Sequence, residues 1–275
     1  LAYEAATADL DDVNMIDPFH LEAYGETTVN YNRDVEIFPV LNAMFERIYG
    51  ESPYKSPTDM GVNMAGFCIV DDAACRRASE QEIIRRYYQS LCSLRQGLSE
   101  QEEVFKLELL MNQIGLKPES RAVVPAALAR AEETGAPAVA MELPNGKLVT
   151  GKTSPLLGAS SACLLNALKC LGGIPEDVLL ISPNIIEPIQ HLKVEHMGNH
   201  NPRLHTDEVL IALSICAVTD PNAERAMEQL AALAGGEVHS TVILSRVDEN
   251  VFQHLRMNLT CEPKYQTKKL YHGKK

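Results

Sequence analysis

"APAVAMELPNGKLVTGK", residues 136–152, decides how the chain is read. Two short apolar runs flank Asn145-Gly146, the pair that a type I′ turn demands because both central residues need φ > 0. The segment is therefore expected to be a β-hairpin. Beyond it the spacing predicts a helix from Ser160 to Leu171, ended by Gly172-Gly173. A buried strand, "VLLI", is expected at 178–181, followed by a helix capped by Ser182, opened by Pro183 and kept short by Pro188. Thr206 is expected to cap a helix that turns Val209, Leu210, Leu213 and Ala217 inward, and Asp220-Pro221 to cap the next. "EVHSTVIL" (237–244) alternates as a strand, Ser245-x-x-Asp248 resembles a capping box, and "NLTCE" (258–262) is the final strand. Strand, short helix, strand at this spacing suggests a right-handed parallel crossover. Residues 117–263 are thus read as an α/β sandwich.

Upstream of the hairpin the pattern is helical over residues 34–116. Val40, Leu41, Met44, Phe45 and Ile48 share one face, with Gly50 as a stop. Ile83, Ile84, Tyr87, Tyr88 and Leu91 make a second face, with Arg85, Arg86 and Gln89 largely opposite it. A capping box, Ser99-x-x-Glu102, opens a third helix that Gly115 closes. Pro118 starts a stretch ending at Gly135, in which Pro125 is expected to impose a kink or a late start. Residues 1–33 form a polar segment and 264–275 a basic tail. The fold class is α/β: a helical subdomain, then an α/β sandwich.

The chain has 275 residues, 45% of them hydrophobic, enough for one large domain or two ordinary ones. Its formal charge of −12 argues against nucleic acid as a partner. The lysines of the tail, Lys264, Lys268, Lys269, Lys274 and Lys275, read as a solvated terminus or as a docking strand for an acidic partner. The seven cysteines form no CxxC pair, and Cys68 and Cys216 sit in apolar runs, as buried thiols in a reducing cytosol do. No apolar stretch approaches the ~18 residues of a membrane span and no signal peptide opens the chain, so a cytoplasmic protein without a membrane partner is expected. It begins at Leu1 without a methionine, which suggests a piece of a longer protein.

Four of the eight histidines fall in "HLKVEHMGNHNPRLH", residues 191–205. His196 and His200 have the spacing of the zinc-protease pair, but Met197 stands where the general-base glutamate belongs, and Gly198 argues against the helix that would align the rings. No metal is expected. The order helix, hairpin, helix, strand, helix matches that of the zinc deaminases. Their zinc motif is nonetheless lacking, with Cys163 alone where ligands should cluster. Gly151-Lys152-Thr153 imitates the end of a phosphate loop, but it lies in a hairpin strand, not between strand and helix. Lys152 at the strand end could still meet an anion. Asp9, Asp11, Asp12 and Asp17 lack the calcium-loop spacing and read as turns and caps. No serine nucleophile elbow appears.

"NPRLH" carries the positive hypothesis. Pro202 stiffens the loop, and Arg203 and His205 should stand near a helix N-terminus, where amides, guanidinium and imidazole can converge on an anion. The other reading of Arg203 is an internal ion pair with one of the surplus acids. His239 is read as a satisfied sheet histidine or, at its strand end, a neighbour of the same cleft.

"ATADLDDVNMIDPFH", "GETTVNYNRDVEIFPVL", "SPTDMGVNM", "QEIIRRYY", "ELPNGKLVTGK", "NPRLH" and "HSTVILS", in this order, closely resemble the bacterial family known as domain of unknown function 1846, or uncharacterised protein family 0371. The resemblance implies that the chain is roughly the C-terminal half of a longer protein whose N-terminal half carries a phosphate-loop-like glycine-rich segment. It also implies a helical subdomain before a deaminase-like one. His196 and Asn201–His205 belong to the family pattern, whereas His191 and His200 do not. The family has no established reaction and names no cofactor. Two functions are carried forward. In the first, Asn30, Asn32, Arg33, Lys152, Asn201, Arg203, His205 and His239 line a site, completed by the missing half, for a nucleotide or phosphometabolite, with Arg33, Lys152 and Arg203 converging in one pocket. The second is a structural or homo-oligomerisation module that uses the helix around Tyr87 and Tyr88.

Overall fold

In the computed structural model, residues 32–52 and 72–266 are described. They fall into two compact units that divide between Ser120 and Arg121. No helix of the described residues is long and apolar enough to cross a membrane.

The first unit is helical: α1 (Asn32–Tyr49), α2 (Asp72–Gln96) and α3 (Gln101–Ile114). Ile83, Ile84 and Tyr88 of α2 are buried, as their spacing predicts. Arg86 is buried with them rather than opposite, because Glu82, also buried, takes both Arg85 and Arg86 within the helix. The capping box at Ser99 does not form. The residue before α3 is Glu100, so Ser99 stands one position too early to reach the first-turn amides. Gly115 closes α3 in the left-handed conformation, with φ 70°.

The second unit is an α/β layered structure. A short 3₁₀ turn at Pro118–Ser120 closes the first unit, and α4 (Val123–Thr134) begins late, which leaves Pro125 in its first turn where a missing N–H costs nothing. The hairpin follows as β1 (Ala138–Glu142) and β2 (Leu148–Lys152), paired from Ala138↔Lys152 to Glu142↔Leu148. Its turn differs from the expected type I′. Leu143 O accepts from Gly146 N at 2.8 Å, so Pro144 and Asn145 are the central residues, and only Gly146 has positive φ (75°). Proline's locked φ selects the type I geometry, and the glycine absorbs the left-handed position that follows.

Helices α5 (Ala159–Leu171), α6 (Pro183–His191), α7 (Thr206–Cys216) and α8 (Pro221–Glu228) come next. The unit closes with β3 (Glu237–Ser240), α9 (Arg246–His254) and β4 (Asn258–Cys261). The sheet order is β2-β1-β3-β4, with β3 antiparallel to β1 and parallel to β4, so the β3–α9–β4 crossover is parallel as expected. The strand expected at 178–181 is absent: the segment is loop with Leu179 exposed, and Lys169 ties down the carbonyls of Glu176 and Val178. The order of elements departs from the deaminase pattern at that point. Pro188 does not stop α6 either, which runs on into a π-helical turn at Leu192–His196.

Strand alternation assigns the two faces of the sheet. Val139 pairs with Gly151, and a Cβ on Gly151 would lie 2.2 Å from Cys163 N, so α5 rests directly on that face. Ala140, on the opposite face, packs with Val123 and Ala127 of α4. The glycine of the false phosphate motif is thus there for close helix packing.

Candidate functional site

Ser245 caps α9: its Oγ accepts from Asp248 N at 3.2 Å and donates to Asp248 Oδ2 at 2.8 Å. This aims the buried Asp248 carboxylate at the start of α7. Oδ1 accepts from Thr206 N (3.0 Å) and the Thr206 hydroxyl (2.9 Å), while Oδ2 lies 3.0 Å from His205 Nδ1. Ser245 spends its proton on Asp248, so its 3.3 Å contact with His205 Nδ1 requires the proton to sit on that nitrogen. His205 Nε2 is then left without a protein partner among the described residues, on a side chain 26% exposed. The hydrogen bond to Asp248 lifts the imidazole above its ordinary pKa, against the effect of burial. For Asp248, burial alone would push the carboxyl up. The bonds from His205, the Thr206 amide and Ser245 outweigh it and hold the group below the usual range. The pair therefore favours imidazolium and carboxylate.

A second cation lies beneath. Lys193, in the π turn and 3% exposed, donates to Arg203 O at 2.8 Å and to Glu208 Oε2 at 2.6 Å. The same Glu208 oxygen accepts from His205 N at 2.8 Å, and Asp207 Oδ1 accepts from Glu208 N at 2.7 Å. The start of α7 is thus occupied by its own acids, Asp248, Glu208 and Asp207. An anion seated on those first amides would meet three carboxylates. Thr206 is the first helical residue, not the cap.

Arg203 stands one step away. Its Nε donates to Ser154 O at 2.8 Å, its amide to Asn201 Oδ1 at 3.2 Å, and it pairs with no carboxylate among the described residues. Lys152 is exposed at the end of β2, two residues before Ser154. The 153–158 loop is strapped to the Arg203 loop: Leu204 N donates to Leu156 O (3.0 Å), and Leu204 O accepts from Gly158 N (3.2 Å) and from the Ser161 hydroxyl (2.9 Å).

Residues 1–115 match the family model described as domain of unknown function DUF1846, N-terminal, and residues 119–271 the C-terminal one. The chain belongs to the DUF1846 family. The UPF0371 protein str1377 of Streptococcus thermophilus (strain CNRZ 1066) is 60% identical over 271 residues, covering 98% of this chain and 55% of the relative. A UPF0371 protein of Streptococcus pneumoniae (strain JJA) is 59% identical over the same span and shares. The chain spans about half the length of the curated relatives it matches. The resemblance implied roughly the C-terminal half of a longer protein; the family models take the chain as an N-terminal match over 1–115 and a C-terminal one over 119–271.

Of the site residues expected for this DUF1846 chain, Asn201, Arg203 and His205 share one loop, with Lys152 near it in sequence to the Ser154 carbonyl that Arg203 grips. His239 is fully buried in the sheet. Its Nδ1 lies 2.9 Å from Thr260 Oγ1, which gives its own proton to Val238 O, and Nε2 is 3.4 Å from Glu262. Burial lowers the His239 pKa and leaves it no surface to offer a ligand. Asn30 and the acidic run at Asp9–Asp17 lie outside the described residues. Asn32 and Arg33 open α1, but their side chains lie outside them too, and so does the expected convergence of Arg33 with Lys152 and Arg203.

The histidine loop splits: His191 and His196 meet edge to face at 5.6 Å between ring centroids, and Gly198, with φ 70°, ends the turn before His200. Among the described residues no three His, Cys, Asp or Glu side chains are grouped to hold a metal ion. Sequence reasoning missed Lys193 and the buried Arg121. Arg121 donates to Thr260 Oγ1 and to the carbonyls of Val238 and Asn258, and pairs with Glu237. Asp248 was visible only as half of a cap.

Proposed function

We propose that the α/β unit binds a small anionic metabolite, of the nucleotide or phosphorylated class, through the Asn201–His205 loop, with further walls supplied by sequence that the longer relatives carry. The observation that carries this reading is His205. A buried carboxylate orients its ring, favours its charged form and leaves Nε2–H without a partner among the described residues, on a partly exposed side chain two residues from an arginine with no carboxylate partner among them. In a chain of net charge −12, such cations stand out as anion contacts.

A ligand that binds only the folded state raises apparent stability. A thermal-shift screen with nucleotides and phosphorylated metabolites should therefore give a rise in melting temperature that is larger at pH 6 than at pH 8. Arg203→Ala should abolish it. His205→Asn keeps a donor toward Asp248 but removes Nε2, and should abolish it as well. An equal shift in all three proteins, or none in the wild type, refutes the reading.

A second reading, self-association, has one favouring observation. Ile211 and Ile215, one turn apart on α7, are exposed, and so is Val218 in the turn that follows the helix, at 82%. Of Tyr87 and Tyr88, which first suggested that role, Tyr88 is buried and Tyr87 half-buried. Light scattering decides here: a dimer that Ile215→Lys dissociates supports it, and a wild-type monomer ends it.

A further inference from the structure

We infer that the outer face of α7 is a docking surface, and that its occupant is the further length of polypeptide by which the UPF0371 relatives exceed this chain. The sequence of the helix sets the terms. A helix on the surface of a globular unit carries one apolar stripe, whereas one that is apolar all round is covered on both sides. From Val209 to Val218 no residue is charged, although 23% of the chain is. Val209, Ala212, Leu213 and Cys216 form the inner face and are buried. Ile211 and Ile215 lie on the other side, 62% and 64% exposed, and Val218 follows in the turn beyond the helix.

The next helix shows what a face meant for water looks like. There α8 buries Ala223 and Ala226 and leaves Glu224, Arg225 and Glu228 exposed. On α7 the one polar side chain between the two isoleucines, Ser214, turns its hydroxyl back on Ile211 O at 2.7 Å. A hydroxyl satisfied within its own helix can leave water without stranding a donor.

Size and tethering choose the occupant. Three aliphatic side chains offer roughly 300 Å² of apolar surface. Each partner in a stable interface between free proteins contributes about 800 Å². A second copy of this chain would have to find the rest elsewhere. A partner on the same polypeptide need not, because a tether holds it at a millimolar effective concentration, and contacts between units of one chain run smaller. The chain covers 55% of the length of the Streptococcus thermophilus relative str1377, so nearly half of such a protein lies outside it, long enough for a folded unit.

Hydroxyl-radical footprinting reads the exposure of each side chain directly. It is applied to this chain and to the longer polypeptide that continues it as the relatives do. Ile211, Ile215 and Val218 should oxidise readily in the chain alone and about fivefold more slowly in the longer form, as residues at the dry centre of an interface do. Ile215→Lys should leave the melting temperature of the chain alone unchanged, because the position is exposed there. In the longer form it should return Ile211 and Val218 to the fast rate, since a lysine has no place in an apolar contact.

Equal oxidation of the three residues in both forms overturns the inference. Slow oxidation in the chain alone overturns it too. If light scattering then shows a dimer and dilution speeds the reaction, a second copy holds the face; if the chain is a monomer, its own residues cover it. A longer form carrying Ile215→Lys that still protects Ile211 and Val218 is equally fatal, because the cover would not rest on this row. None of these results bears on the anion-binding loop, which its own screen decides.

Discussion

Helices α5 and α7 begin on either side of Leu204, within one unit, and each must find partners for its first amides. In α7 the chain supplies them: Asp248 arrives from the start of α9, Glu208 folds back on His205 N, and Asp207 takes Glu208 N. In α5 it supplies Gly158, Ala159 and two serines, one of which turns away to Leu204. Self-sufficiency makes α7 a support that orients His205. A helix start with acids in its first turn is poor ground for an anion, however many cations stand near it.

The harshest way to break this contrast is Gly151→Ala. Its Cβ would fall inside the backbone of α5, so the helix must lift from β2 at a cost of about 3 kcal/mol or more. Chemical denaturation reads that loss. Proton NMR of His205 should still show its raised pKa if the α7 start is independent. Next comes Asp248→Ala, which strands the Thr206 amide and hydroxyl and releases His205. A loss of about 3 kcal/mol is expected, together with a His205 titration that drops toward the ordinary value. Lys193→Met leaves Arg203 O and Glu208 without their shared cation and should cost about 2 kcal/mol by the same measurement.

The mildest test is pH. The raised His205 pKa contributes stability that is complete below the ordinary histidine value, ~6.5, and fades as pH rises through the folded value. The lowered Asp248 pKa contributes above the ordinary carboxylate value and fades as pH falls through its own folded value. The pair is therefore strongest in the mildly acidic window between. Wild type should lose stability on going from pH 6 to pH 8 relative to His205→Asn, and parallel profiles would show that the pair contributes nothing.

The hairpin, the helix ended by Gly172-Gly173, the Asp220 cap and the parallel crossover were legible because each rests on local chemistry: alternation, proline, glycine, a short acidic side chain. The type I′ turn failed because Pro144 outranked Asn145-Gly146, two local signals in competition. "VLLI" failed because a strand needs a neighbour, and no four-residue run announces whether the sheet has a place for it. At the site, Arg203 and His205 could be picked out as cations beside proline, and Ser245-x-x-Asp248 as a cap. That Asp248 serves α7 as well as its own helix is a contact between residues 42 positions apart. Lys193 carried no signal at all, since a lysine in a polar stretch gives no hint that it is buried.

The strap at Leu204 has a consequence for motion. Its amide is committed to Leu156 and its carbonyl to two donors of the α5 start, although the residue belongs to no helix or strand. An irregular segment pinned this way should hold its amide deuterium as long as the sheet does, while His200 a few positions earlier trades its own freely. That one slow proton would be a built-in gauge of whether the two loops stay joined, because parting them must first break the peptide plane that carries it away from both.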